Sequence, residues 1–314
     1  MCPVRVLVTG GAGFIGSHVA EALVERGDEV LVVDDLSTGR RDQVPPEADF
    51  HHLDIRGPEA AALVRERRPD VVCHHAAQMS VSLSVREPLF DAAVNLVGGL
   101  NLLEAAREAG ARFIFASTGG AMYGDADVLP TPESHPAWPV SPYGVAKLSF
   151  EHYLHCYRAQ HGLRYVALRY ANVYGPRQNP HGEAGVVAIF CLRMLAGDQA
   201  VINGDGRQTR DFVHVADVVR ANLAALDSDA VGHFNVGTGR PVDMNTIFRL
   251  VAEFVGVSQP EVHGPPRPGD QRTSALDSRL IAERMGWKPR VELEEGLRET
   301  VAWFRSEAGA TSSR

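Results

Sequence analysis

At 314 residues, with 45% hydrophobic and 22% charged side chains, the chain can bury a large core and has the make-up of a soluble globular enzyme folded as two lobes. A formal net charge of −8, with no long run of one sign, argues against nucleic acid or an anionic membrane as the main partner and leaves any anionic substrate to local arginines. Cys2, Cys73, Cys156 and Cys191 are scattered without ligand spacing, and neither a signal-peptide layout nor an apolar run of about 18 residues is found, so a reduced cytosolic protein without disulfides or structural zinc is expected.

Val4–Val8 predicts a first strand, followed by a turn over Gly10 to Gly16 and a helix over Ile15–Arg26. Strand, tight glycine turn and helix let backbone amides and a positive dipole end approach a pyrophosphate. Glu29–Val33 predicts the second strand. Asp34 at its end, eighteen residues beyond Gly16, is placed to accept both ribose hydroxyls of NAD and to repel the 2′-phosphate of NADP. Arg40 and Arg41 nearby pull the other way, but the carboxylate favours NAD. Asp49–Leu53 is the third predicted strand, and Asp54 beyond it suits either an adenine contact or a capping role.

Further strands are expected at Val71–His75, Arg112–Ala116 and Arg164–Leu168, and helices over Ala60–Arg67, Leu89–Glu108 and Tyr143–Gln160. Gly27, Gly110 and Gly162 follow helical patterns as C-terminal caps do. This alternation predicts an α/β fold, a Rossmann-type doubly wound parallel sheet with a smaller mixed α/β substrate-binding domain. Beyond Tyr170 the character changes: Asn172–Gly185 reads as a long functional loop, with more loops at Asn203–Gly206, Gly237–Pro241 and Gly264–Asp270. The dinucleotide domain is expected over 1–170 plus roughly 211–240, the second domain over 171–210 and roughly 241–314, with a frayed tail from Ser306.

Tyr143 and Lys147 carry the chemistry. Four positions on a helix put both side chains on one face, one turn apart. Ser141 is a good N-cap and Pro142 fits the first helical position, so the pair sits on the first turn. A tyrosine, with an ordinary pKa of about 10, needs the helix N-terminus and a neighbouring ammonium to act as a base near neutrality. His51-His52 and His74-His75 are read as strand residues pointing to opposite faces rather than as metal ligands, and no metal is expected. Tyr153 and Tyr157 are read as core or dimer-interface packing.

Together these residues resemble the extended short-chain dehydrogenase/reductase superfamily, its NAD-dependent epimerase/dehydratase family, and within that the UDP-glucose 4-epimerase branch. The likeness continues through His75-Ala76-Ala77, Ser117-Thr118, Tyr123-Gly124, Arg169–Arg177, Arg210–His214 and Arg267–Asp270. It implies an NAD site on Gly10, Gly13, Phe14, Ile15 and Gly16, on Asp34 with Leu36, Ser37, Thr38 and Gly39, and on Asp54 and Ile55. His75, Ala76, Ala77, Asn95, Tyr143, Lys147 and Tyr170 complete that implied site. Tyr143 would take the proton of the sugar 4-hydroxyl, and Lys147 would bind the nicotinamide ribose and depress the phenol's pKa. Ser117 and Thr118 compete for a hydrogen bond to the substrate oxygen, Thr118 being favoured. Asn172, Arg210 and Arg267 would grip the substrate phosphates, with Asp270 orienting Arg267 or binding a ribose. Ser274, small where some epimerases carry a bulky residue, would admit N-acetyl sugars. Arg177 would reach the diphosphate or brace its loop.

Family members that eliminate water carry an acid after the threonine. Here Gly119 and Gly120 follow Thr118 and would leave room beside the hexose, so the resemblance implies 4-epimerisation of a nucleotide-diphosphate sugar, a UDP-hexose being the expected one. It also implies a homodimer through the Tyr143 helix.

Overall fold

The β-branched runs of the first half are buried on both faces, as a parallel sheet between two helix layers requires. The structure, a computed structural model, describes residues 3–180, 185–266 and 271–312. β1 (Arg5–Thr9), α1 (Phe14–Glu25), β2 (Glu29–Asp34), β3 (Asp49–His52), α2 (Pro58–Arg67) and β4 (Val71–His74) open the chain. Then come α3 (Val81–Arg86), α4 (Pro88–Ala92), a π-helical stretch (Ala93–Gly98), α5 (Gly99–Ala109), β5 (Arg112–Thr118), α6 (Pro142–His161) and β6 (Tyr165–Tyr170). The second half adds β7 (Asn172–Tyr174), α7 (Val186–Leu195), β8 (Val201–Asn203), β9 (Thr209–His214), α8 (Val215–Asp227) and β10 (Gly232–Val236). It ends with β11 (Pro241–Asp243), α9 (Met244–Val255), β12 (Val262–Gly264), α10 (Arg279–Met285) and α11 (Leu293–Ser312).

The main sheet runs β10-β6-β5-β4-β1-β2-β3, all parallel. The strand order reverses between β1 and β4, and the carboxyl ends flanking that point are where such sheets bind ligands. One core lies under α1 and α8, the other under α2, α5 and α6. A third core, around Phe190, Phe248 and Phe304, joins α7, α9 and α11 beside the small sheet β11-β9-β7.

The expected loop over Asn172–Gly185 begins instead as a strand, because Asn172–Tyr174 pair with Phe212–His214. The helix expected over Leu89–Glu108 is continuous from Pro88 to Ala109 but passes through the π-helical stretch. By length and composition alone that run could cross a membrane, which corrects the expectation that no such run exists; here Leu102, Leu103, Ala105 and Ala106 of it are buried in the core. Helix α6 is bounded as its ends dictate: Ser141 Oγ accepts from Gly144 N at 3.2 Å, and Gly162 at φ 71° closes the C-terminus.

One polar cluster lies inside the second core. Arg169 on β6 donates to Glu151 on α6 through Nε at 3.0 and 3.1 Å and Nη2 at 2.6 Å, both side chains 5% exposed. Ser117 Oγ donates to Glu151 Oε1 at 2.5 Å, Arg169 Nη1 to Tyr123 Oη at 2.8 Å, and Tyr123 Oη to Asn235 Oδ1 at 2.8 Å. Burial works against the Arg169 charge, yet Glu151 holds the guanidinium above arginine's ordinary value. Removing one partner of a buried pair strands the other charge, so Glu151→Leu is expected to lower the unfolding free energy by about 3–5 kcal/mol. Urea titration checks this, and Arg169→Met added to the first change is expected to restore much of the loss.

Candidate active site

Gly10 has φ 68°, and a Cβ there would lie 2.6 Å from Ala76 N, while one on Gly16 would lie 2.1 Å from Gly10 O. Glycine at both positions is therefore what lets β1, α1 and the end of β4 converge. Gly13 caps α1 without a side-chain hydrogen bond, and the first turn, with Phe14, Ile15 and Gly16, carries no acid. Those amides and the helix dipole suit a pyrophosphate. Asp34 Oδ2 accepts from Ala12 N at 3.0 Å and Oδ1 from Leu36 N at 2.8 Å, so the carboxylate joins the glycine turn to β2 and keeps lone pairs for two hydroxyls. Burial raises its pKa; the two amides oppose that.

Leu36 adopts φ 55°, Ser37 donates through N and Oγ to Asp35, Thr38 is exposed, and a Cβ on Gly39 would press on Ala12. Arg40 pairs with Asp42 and Glu307, and Arg41 lies over the Phe50 ring at 4.5 Å. Asp54 accepts from Arg56 N at 2.8 Å and from the Arg56 guanidinium. Ile55 is buried beneath Gly98. His75 N and Ala76 N donate to Thr9, with Ala77 next along the chain, and the His75 ring stacks on Tyr170 at 6.5 Å.

Two further residues of the implied cofactor site are hydrogen-bonded within the protein. Asn95 is buried, its amide bonded to Gln78 and Asp91. Tyr170 is buried with its hydroxyl accepting from Asn222 Nδ2 at 2.9 Å. The histidines have other tasks as well: His74 pairs with Thr9 Oγ1 at 2.7 Å amid Phe113, Phe115 and Phe150, and no group of metal-ligating side chains forms among the described residues.

Tyr143, Lys147 and Glu151 form one stripe of α6, and the end of β5 runs beside it. Lys147 Nζ donates to Ala116 O at 3.0 Å, 4.7 Å from the Phe115 ring centre and 5.9 Å from that of Tyr143. Ser117 Oγ is engaged by Glu151, as described. Thr118 Oγ1 accepts from Ala121 N at 3.2 Å, and its hydroxyl meets the Tyr143 phenol. The expected depression of the phenol's pKa is not what the geometry produces. The ring keeps an accessible edge, but its surroundings are protein on most sides. Burial pushes it up to about 12, Asp91 adds to that, and Thr118 opposes. Burial likewise pushes Lys147 down to about 8, against Asp91 and Glu151.

Across the cleft a Cβ on Gly119 would lie 2.3 Å from Leu276 Cδ1, so that space is filled by Leu276 rather than left open; one on Gly120 would meet Asn172 Oδ1 at 3.5 Å. Arg210 Nη1 donates to Thr209 O and Gln271 O, both at 2.8 Å, and Ser274 N donates to Thr209 O, which gathers Asn172, Arg210 and Ser274 around β7 and β9. Arg267 and Asp270 lie outside the described residues. Arg177, at φ 66°, grips Glu21 and Ser17 of α1 and so braces its loop. A cavity of about 430 Å³, lined by Asn203, Asp205, Gln208, Gln271 and Arg272 among others, opens beside β8 away from Tyr143. Sequence reasoning missed those residues, and with them Asp91, Gln78, Glu151 and Leu276. The acids carried no motif; only their burial, and spacings of four and eight from Asn95 and Tyr143, mark them.

Residues 6–237 match the family model described as the NAD-dependent epimerase/dehydratase family. The UDP-glucose 4-epimerase of Mycolicibacterium smegmatis is 45% identical over 312 residues, covering 97% of this chain and 99% of that protein. The crystal structure of UDP-glucose 4-epimerase with UDP-glucose from Thermotoga maritima is 51% identical with a TM-score of 0.95, covering 96% of this chain and 99% of that one. The Thermus thermophilus enzyme in complex with NAD is 50% identical with a TM-score of 0.91 over the same shares. This chain belongs to the NAD-dependent epimerase/dehydratase family.

Proposed function

We propose that this chain is an NAD-dependent nucleotide-sugar 4-epimerase that interconverts UDP-glucose and UDP-galactose. The observation that carries the reading is the meeting of Tyr143 and Thr118 at the carboxyl end of β5, with Lys147 one turn behind. Bound NAD supplies the acceptor and donor of hydride at the sugar C4. The residues present fit it: uncapped amides at the start of α1, glycines where any Cβ would collide, and Asp34 with lone pairs to spare. Arg40, Arg41 and their partners leave Asp34 to decide, which favours NAD over NADP.

Tyr143 takes the 4-hydroxyl proton and returns it, Thr118 holds the same oxygen, and the Lys147 ammonium favours the phenolate. The 4-keto sugar turns over between these events. For that the nucleotide end is held by Asn172, Arg210, Arg267 and Asp270 and the cavity beside β8, while the hexose is held loosely. Elimination is disfavoured because Leu276, an apolar side chain, occupies the place beside Gly119 where an acid would be needed. Ser274 supports a wider substrate range that includes UDP-N-acetylhexosamines.

The dinucleotide lobe is read as 1–170 with roughly 211–240, supported by β10 adding to the main sheet and α8 packing on α1. The sugar-nucleotide lobe is the remainder. Val85, Leu89, Phe90, Val97 and Tyr153 expose an apolar face on α3, α4, the π-helical stretch and α6, with Leu89 86% accessible. Its fitting cover is a second copy of the chain, giving a homodimer. The unpaired thiols of Cys73, Cys156 and Cys191 suit a reducing cytoplasm.

Incubation with UDP-glucose, followed by NMR, is expected to give UDP-galactose; its absence with NAD bound overturns the reading. Tyr143→Phe is expected to lower kcat by about 10²–10⁴-fold while retaining the dinucleotide. Thr118→Ala is expected to lower kcat in the same assay, whereas Ser117→Ala mainly lowers Tm. Leu89→Lys is expected to shift the elution of the protein from dimer to monomer.

A further inference from the structure

Asp91, at the end of α4, is a buried acid that the chemistry described so far leaves without a task. It is 1% exposed. Its Oδ1 accepts from Gln78 Nε2 at 2.8 Å and from Asn95 Nδ2 at 2.9 Å, whereas Oδ2 is buried with no hydrogen-bond partner. Asn95 also closes on the Gln78 backbone, donating to its O at 2.8 Å and accepting from its N at 3.0 Å. Gln78 in turn brackets Ser80, through Nε2 to Ser80 O at 2.9 Å and through Oε1 from Ser80 N at 2.5 Å. The carboxylate is thus fixed from two sides with one oxygen open. Structural carboxylates are ordinarily satisfied, so the open oxygen needs a reason.

The surroundings supply one. The helix that carries Asp91 changes to π-helix at Ala93, a geometry that recurs at functional sites, and α4 and the π-helical stretch pack on α6. From α6 the groups whose charge Asp91 bears on are Tyr143 and Lys147. His74 and His75 at the end of β4 face Lys147 as well, and both are held neutral by burial. Glu151, the other acid acting on Lys147, already serves Arg169 and Ser117. Asp91 is the acid with capacity left.

We propose that Asp91 is a positioning residue for the proton-transfer pair: clamped by Gln78 and Asn95, its carboxylate keeps Lys147 an ammonium and so keeps that charge available to the Tyr143 phenol. This rests on the reading of Tyr143 as the base. The same anion holds protons on both neighbours, so its removal lets Lys147 and Tyr143 release theirs at lower pH. Both limbs of the pH–rate profile then move toward acid.

The test uses the full-length holoenzyme with UDP-glucose as substrate. In Asp91→Asn both limbs are expected to move down by about one pH unit, with kcat on the alkaline side down on the order of tenfold. KM and dinucleotide content stay near the parent's. Asp91→Glu, which keeps the charge, is expected to keep the parental limbs. Should D91N not accumulate as folded protein, Asp91→Ser, which leaves room for a water, has to give the same displacement. An unmoved profile, or a uniform loss at every pH, overturns the inference. Tyr143→Phe separates the two failures: a fully active Y143F removes the base itself, whereas an inactive Y143F beside an unmoved D91N profile removes only the role of Asp91.

Discussion

The Arg169–Glu151 pair lies where β5, β6 and α6 meet, and the groups that the chemistry needs take their places from it. Glu151 lies two turns beyond Tyr143 on the same face of α6, so fixing its carboxylate fixes the roll of the helix that presents Tyr143 and Lys147. Ser117 ties the strand end to the same carboxylate, which sets Thr118 level with the phenol. Tyr123 carries the network on to Asn235, whose amide reaches Thr131 O at 3.0 Å and Asp277 O at 3.2 Å. The pair need not add net stability, since desolvating two charges offsets most of their attraction. What it supplies is one permitted arrangement of three elements.

A second buried carboxylate does the same for the far wall. Asp211, 1% exposed, accepts from Thr238 N and Oγ1 at 2.8 and 2.5 Å, from Gly239 N at 3.0 Å and from Leu276 N at 3.1 Å. Burial alone would favour its protonated form, and these donors oppose that. The bond to Leu276 N fixes the residue that fills the space beside Gly119. Gly119 is therefore small for a packing reason, and the chemical character of that wall is set from residue 276, far along the chain.

Those two carboxylates also mark where reading the chain as text stops. The strands of the main sheet, the helices between them and the glycine turn were legible because each is a local pattern: a β-branched run, a 3.6-residue period, a glycine where the backbone must turn. Tyr143 and Lys147 were legible for the same reason, as a capped pair one turn apart. Ser117 and Thr118 are adjacent hydroxyls that no local rule separates; the bond from Ser117 to Glu151, thirty-four positions on, exists only in the fold. The bonds that Asn95 makes to Asp91 and Gln78, and Tyr170 to Asn222, carry no local signature either. Asn172–Tyr174 looked like loop because its partner strand lies forty residues away.

Desolvation shifts Tyr143 and Lys147 in opposite directions. It penalises the phenolate and the ammonium alike, so Tyr143 is pushed up to about 12 and Lys147 down to about 8, from ordinary values of 10.0 and 10.5. The protein matrix by itself thus makes the lysine the easier of the two to discharge, the reverse of what a tyrosine base requires. Three groups of this chain act on that imbalance. Thr118 favours the phenolate by hydrogen bonding; Glu151 and Asp91 favour the ammonium by charge, and Asp91 does so at some cost to the phenolate. A dry site strengthens each of these terms, because the same low dielectric that destabilises the ions also magnifies their neighbours. Burial and the acids therefore belong together: without the acids a buried lysine would lose its charge, and without burial the acids would be too screened to hold it.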